Sequence, residues 1–194
     1  MNSKITRKPY HHGNLAAAAL DAAGAIVRES GHEGLSLRQV ASATGVAHRS
    51  LYNHFADREA LLDALAARGF NTLAGRLRKA DSARAFIAAW VEFSRADTGL
   101  YALMTSRPHA TMKDKPALQA SVHLVIGEAM RVFGTPIMDA QDRRRAVMQV
   151  FILIYGALAL YRSGVLDMDG EDALISELSA MTQGLRFRPP RGAV

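Results

Sequence analysis

Apolar residues recur at three- and four-residue intervals through most of this chain, and each run opens or closes on a recognisable cap. Leu15, Ala18, Ala19, Ala22, Ile26 and Val27 mark the inner face of a first helix over about 15–30, capped by Asn14 and ended by Gly31. Ser36 with Gln39 three residues on has the form of a capping box. A short helix with Leu37, Val40 and Ala41 inward follows it, and Gly45 breaks the chain where a positive φ suits only glycine. Val46, Leu51 and Phe55 supply the inward positions around a second short helix. Asp57 can cap a long helix over about 58–79, with Leu61, Leu62, Leu65, Phe70, Leu73 and Leu77 along it.

Further helices are predicted from Ser82 (Phe86, Ile87, Trp90, Val91, Phe93), from Asp97 (Leu100, Tyr101, Leu103, Met104), over 117–133, over 139–163 and over 170–185. Residues 105–116 read as a connector, Gly134-Thr135-Pro136 as a break, and Gly164 as the end of the longest helix. No stretch alternates with period two long enough for a strand. The pattern is therefore all-α, with about nine helices.

Two stretches depart from ordinary amphipathic helix. The first is 36–55, two short helices about a tight turn, the form of a helix-turn-helix. The outer face of its second helix holds Ala47, His48, Arg49, Ser50, Tyr52, Asn53 and His54. A plain helical hairpin has the same apolar spacing, but a merely solvated face is usually rich in Glu and Lys. Here no acid lies between Glu33 and Asp57, while Arg38 and Arg49 lie inside that window and Arg58 at its edge. That favours a surface facing phosphates, with the second helix in a DNA major groove.

The second stretch, 147–161, is apolar almost all round. It is shorter than the ~20 residues a membrane span needs, contains Gln149, and is bracketed by Arg143, Arg144, Arg145 and Arg162. A helix apolar on every side must be covered on every side. One face can pack on its own chain, and the other needs a ligand or a second chain. The last helix adds Leu174, Ile175, Leu178 and Met181. Two such helices from each of two subunits would make a four-helix interface, for which Phe151, Ile154, Leu158, Leu174 and Leu178 are the expected contacts.

Composition narrows the partners. The 194 residues carry a net charge of +6 and are 49% hydrophobic, enough for a full core. Residues 1–58 hold seven Lys or Arg against four acids and five of the seven His, so half the positive surplus sits in under a third of the chain. There is no Cys, which excludes disulfides, thiolate zinc sites and Cys nucleophiles. His11-His12, His109 and His123 lack a carboxylate at metal-ligand spacing, and there is neither a His-Glu-x-x-His run nor a Gly-rich phosphate loop. No catalytic residue, metal or cofactor is expected. The N-terminal Met-Asn-Ser-Lys-Ile-Thr-Arg-Lys-Pro has no apolar run of the signal-peptide kind, so a cytoplasmic place is expected, and no membrane partner.

Thr44-Gly45-Val46, Ser50-Leu51-Tyr52-Asn53-His54-Phe55 and Asp57-Arg58-Glu59-Ala60-Leu61-Leu62 together resemble the DNA-binding domain of the TetR family of transcriptional regulators. The family pattern is Gly-Val, a few variable residues, Leu-Tyr-x-His-Phe, then a polar link before a Leu-Leu helix. Arg58 or Asp57 stands where members often carry Lys. The resemblance and the side-chain chemistry imply a double-stranded DNA operator as partner. Ala47, His48, Arg49, Ser50 and Asn53 would form the recognition face, with Arg49 suited to guanine O6 and N7. Ser36, Arg38, Tyr52, His54 and Arg58 would hold phosphates. Lys4, Arg7 and Lys8 form a basic arm that could enter a minor groove or merely aid solubility.

The implied organisation is an arm over 1–13, a DNA-binding domain over 14–58, a connecting helix over 59–81, an effector-binding and dimerisation domain over 82–187, and a tail over 188–194. Phe151, Tyr155, Gly156 and Tyr101-Ala102-Leu103-Met104 resemble a TetR subgroup named for a Trp, His and Gly pattern, with Phe and Tyr replacing its Trp and His. By that resemblance the second domain binds a small apolar or aromatic effector near Trp90, Phe93, Tyr101, Met104, His123, Phe151 and Tyr155. The implied function is a homodimeric repressor released from a palindromic operator by that effector. The alternatives are a helix-turn-helix protein acting without an effector, or an activator.

Overall fold

A computed structural model describes residues 15–107, 109–135 and 138–184. The expected basic arm, the Asn14 cap and the 188–194 tail lie outside them. The head comprises α1 (Leu15–Ser30), α2 (Leu37–Thr44) and α3 (His48–Leu51). The body comprises α4 (Arg58–Leu77), α5 (Ala83–Ala96), α6 (Thr98–Thr105), α7 (Pro116–Phe133), α8 (Ala140–Arg162) and α9 (Glu171–Gly184). A 3₁₀ turn over His109–Asp114 lies inside the stretch expected as a plain connector. No strand occurs among the described residues.

The helix ends follow local chemistry. The Ser36 hydroxyl accepts from the Gln39 N–H while the Gln39 carboxamide accepts from the Ser36 N–H, closing the expected capping box. Gly45 follows α2 at φ 68°, in the left-handed region. Asp57, Ser82, Asp97 and Asp139 cap α4, α5, α6 and α8 through their side chains.

One apolar core runs from head to body. In the head, Leu37, Val40, Leu51 and Phe55 close against Ala19, Ala23 and Val27 of α1. Each large side chain enclosed this way stabilises by about 2 kcal/mol. α4 packs on α1 at one end and along α7 in the body, so a single helix carries both halves. α6 makes a second junction. Gly99 lies so close to the Val27 carbonyl that a Cβ there would overlap it, and the Arg28 guanidinium pairs at 2.9 Å with Asp97, the residue that caps α6. An ionic contact ties the body together: Arg107, just beyond α6, reaches Glu59 at 2.7 Å and Asp63 at 3.3 Å on α4, and Lys115 meets Asp63 at 2.7 Å. The Arg107 hydrogen bond and charge hold the Glu59 carboxyl below the ordinary Glu range.

The last two helices use their apolar residues differently from the expectation. Ile154, Leu158, Leu174 and Leu178 are between 0% and 3% exposed, enclosed within their own chain, and Phe151 is half-buried. Enclosed side chains have no surface to offer a partner. The exposed apolar residues of α8 and α9 are instead Met148, Ile152, Leu160 and Met181, with Ile152 the most open of the four at 66%. α8 is long and apolar enough, by length and composition alone, to cross a membrane. Here one stripe of it is core and the neighbouring stripe is open.

Candidate nucleic-acid interface and body cavity

Leu51 and Phe55 are the anchors of the second helix of the helix-turn-helix, and both are buried. With them fixed, Ala47, His48, Arg49, Tyr52, Asn53 and His54 stand exposed, and Ser50 is half-exposed. α3 itself is one turn long, and the Phe55 and His54 N–H groups both return to the Leu51 carbonyl. The presented face is therefore held by hydrophobic anchoring more than by helix length. The His48 and Tyr52 rings meet edge-on with centroids 5.0 Å apart, which positions each against the other.

Ser36, Arg38, His48, Tyr52 and Arg58 come together around one shallow concavity of about 310 Å³ between α2 and α3. Asp57 also borders it, with its carboxylate accepting from the Ala60 N–H. Two of these residues are already engaged. The Ser36 hydroxyl belongs to the capping box. Arg58 donates to the carbonyls of Leu35 (2.7 Å), His32 (2.6 Å) and Glu33 (2.7 Å). Those carbonyls belong to the irregular link between α1 and α2, where no helix ladder satisfies them. Arg58 thus clamps the head together, which leaves Arg38 and Arg49 as its exposed arginines beside the turn.

In the body, a half-open cavity of about 620 Å³ lies among α6, α7 and α8. Three of the expected lining residues, Met104, Phe151 and Tyr155, border it. Trp90 and Tyr101 stand behind them, fully enclosed, with the indole N–H donating to the Tyr101 hydroxyl at 3.3 Å. Trp90 packs on Phe151 and Tyr155 with centroids 5.3 and 5.6 Å away. Burial raises the phenol pKa of both Tyr101 and Tyr155, so each stays neutral and able to donate a hydrogen bond.

The other two expected lining residues lie elsewhere. Phe93 takes the Arg76 guanidinium over its ring at 5.5 Å and faces a different hollow, and His123 is exposed on α7. Seven lining residues were not expected: Thr105, Ile126, Met130, Arg144, Val147, Met148 and Ile152. The usable signal was the i, i+3/i+4 run Arg144, Val147, Met148, Phe151, Ile152, Tyr155 along one helix.

Comparison with known proteins bears on the family and the fold. A family model described as bacterial regulatory proteins, tetR family, matches residues 19–65, and one described as tetracyclin repressor-like, C-terminal domain, matches residues 83–181. The chain belongs to the TetR family. As such it is a DNA-binding transcriptional regulator of a generally non-enzymatic class. A protein with unknown function from Rhodococcus sp. RHA1 shares 32% identity and superposes with a TM-score of 0.71, over 92% of this chain and 98% of that one. A TetR transcriptional regulator from the same organism has the same fold at 15% identity, with a TM-score of 0.68 over 92% of this chain and 99% of that one. The multidrug binding protein EbrR, solved with imidazole, has it at 18% identity, with a TM-score of 0.64 over 98% of this chain and 100% of that one. No curated protein is significantly similar to the chain.

Proposed function

We propose that this TetR-family regulator is a cytoplasmic, homodimeric, site-specific repressor that leaves a palindromic operator when a small molecule enters the cavity among α6, α7 and α8. The observation that carries the DNA-reading half is the exposed face from Ala47 to His54, free of acids and held on the buried anchors Leu51 and Phe55. Arg49 contacts a guanine, and His48, Ser50 and Asn53 contact neighbouring bases or phosphates, with Ala47 leaving room for a thymine methyl. Arg38, Tyr52 and His54 hold phosphates and set the register. Arg58 and Ser36 act by fixing the α1–α2 link and the start of α2.

The exposed apolar residues Leu160 of α8 and Met181 of α9, which lie outside the cavity lining, support pairing of two chains through these helices. A two-fold dimer then requires a two-fold site. The half-open cavity supports an effector over a regulator without one, since a filled body would leave no such space. Footprinting of the full chain on genomic fragments tests the reading. The expected result is a protected palindrome overlapping a promoter whose reporter rises when the protein is deleted. Uniform coverage with no preferred site contradicts it.

A further inference from the structure

The cavity is a trench with a direction. Its α8 wall comprises Arg144, Val147, Met148, Phe151, Ile152 and Tyr155, one stripe of a continuous helix. Arg144 and Tyr155 are eleven residues apart on that helix, so the trench runs about 16 Å along the axis. The opposite wall, from α7, is Ile126 and Met130, and Met104 of α6 also borders the space. Met104, Met130 and Met148 make this lining soft and adaptable, as suits a flexible apolar occupant more than a rigid one. The two ends differ. At one, Tyr155 is boxed by the rings of Trp90, Phe151 and Tyr101. At the other, Arg144 brings the lining its one charged group.

Arg144 sits in a run of three arginines, and its neighbour Arg145 is paired with Asp142. Arg144 has no carboxylate within ion-pair distance among the described residues. A long apolar trench with an unneutralised guanidinium at one end complements a molecule that is long, apolar and acidic at one end.

We propose that the effector is a linear aliphatic monoanion, its acidic group bound by Arg144 and its chain laid along the trench toward Tyr155. This deepens the effector reading and rests on it. A guanidinium binds a carboxylate through two parallel hydrogen bonds, and a neutral head group of the same length forfeits that charge-assisted pair. The Met walls supply affinity with little demand on chain shape, so chain length sets fit and the head group sets preference.

Trp90 is the single tryptophan of the chain and packs on two residues that line the trench, so its fluorescence reports binding without DNA. The experiment titrates the full-length protein with n-dodecanoate and with n-dodecanol, each below its aggregation concentration, using wild type and Arg144→Gln. The expected result is saturable change of Trp90 emission by both, with the carboxylate at least about tenfold tighter on wild type and the preference lost in Arg144→Gln. Retained dodecanol binding in the variant shows that it is folded. Equal binding of acid and alcohol by wild type overturns the anionic class while leaving an apolar effector standing, and a preference that survives Arg144→Gln overturns the assignment of the acidic group to Arg144. Binding of neither overturns the linear class. Binding only after dilution to the monomer shows that a second copy covers the trench, and overturns the proposal too. Operator release is measured separately by fluorescence anisotropy of bound DNA. Tight dodecanoate binding without release leaves the ligand assignment standing and defeats the effector reading instead.

Discussion

Three arginines of the head stand in different settings. Arg49 projects from α3 beside His48, Arg38 projects from α2, and Arg58 turns inward to three carbonyls. Arg49→Ala is expected to cost about 1–3 kcal/mol at the preferred site and to relax one base position. Arg38→Ala is expected to weaken all sequences alike and to lower the salt slope of binding by about 1. Titrations at several salt concentrations separate the two, and indistinguishable effects would refute the division. Arg58→Met should act on folding instead. Orphaning carbonyls bound by a guanidinium costs about 2 kcal/mol, seen as a lower unfolding midpoint with the salt slope unchanged. An unchanged midpoint with a slope smaller by about 1 would return Arg58 to the phosphates.

At the scale of elements, the contact of Gly99 with the Val27 carbonyl joins α6 to the end of α1, and Gly69 lets α4 approach Met104 of α6. These two glycines make different demands. A Cβ at Gly69 would meet the Met104 sulfur, which can swing away, whereas a Cβ at Gly99 would meet backbone, which cannot. Gly99→Ala is therefore expected to destabilise by about 1–3 kcal/mol, or roughly 2–4 °C of Tm per kcal/mol for a chain of this size. Thermal melts check it, and an unaltered Tm would mean that the junction is loose.

Helix boundaries were legible in the sequence because caps are local: Ser36 with Gln39, Asp57, Ser82 and Asp97 each act within one turn of themselves. The anchors Leu51 and Phe55 were legible for the same reason, as spacing alone assigns them inward. The Arg58 role was hidden because its partners are main-chain carbonyls of a loop, which leave no mark in residue identity. The trench was hidden because its walls converge from three helices, and periodicity states which face is apolar but not what lies opposite. That is also why α8 misled. Its two apolar stripes, one through Ile154 and Leu158 and one through Met148 and Ile152, look alike until α5, α7 and α9 cover the first.

At the scale of the molecule, a one-turn recognition helix makes few contacts, and two copies in fixed relation are what lift binding above the non-specific level. The proposed pairing depends on the exposed Leu160 and Met181 and not on the enclosed stripe. Leu160→Asp combined with Met181→Asp is expected to give a folded monomer in sedimentation at micromolar concentration. Leu158→Ala should instead destabilise by about 2–5 kcal/mol, since it empties core. A double variant that stays dimeric would move the interface elsewhere.

The face from Ala47 to His54 is proposed to read DNA as one half of a two-fold pair. Selection of bound duplexes from a random pool, run in parallel with wild type and Arg49→Ala, tests it most directly. One enriched palindrome is expected for wild type, and for the variant the same palindrome with a single relaxed position in each half-site. Enrichment of no site by wild type, or of a site without two-fold symmetry, would contradict it.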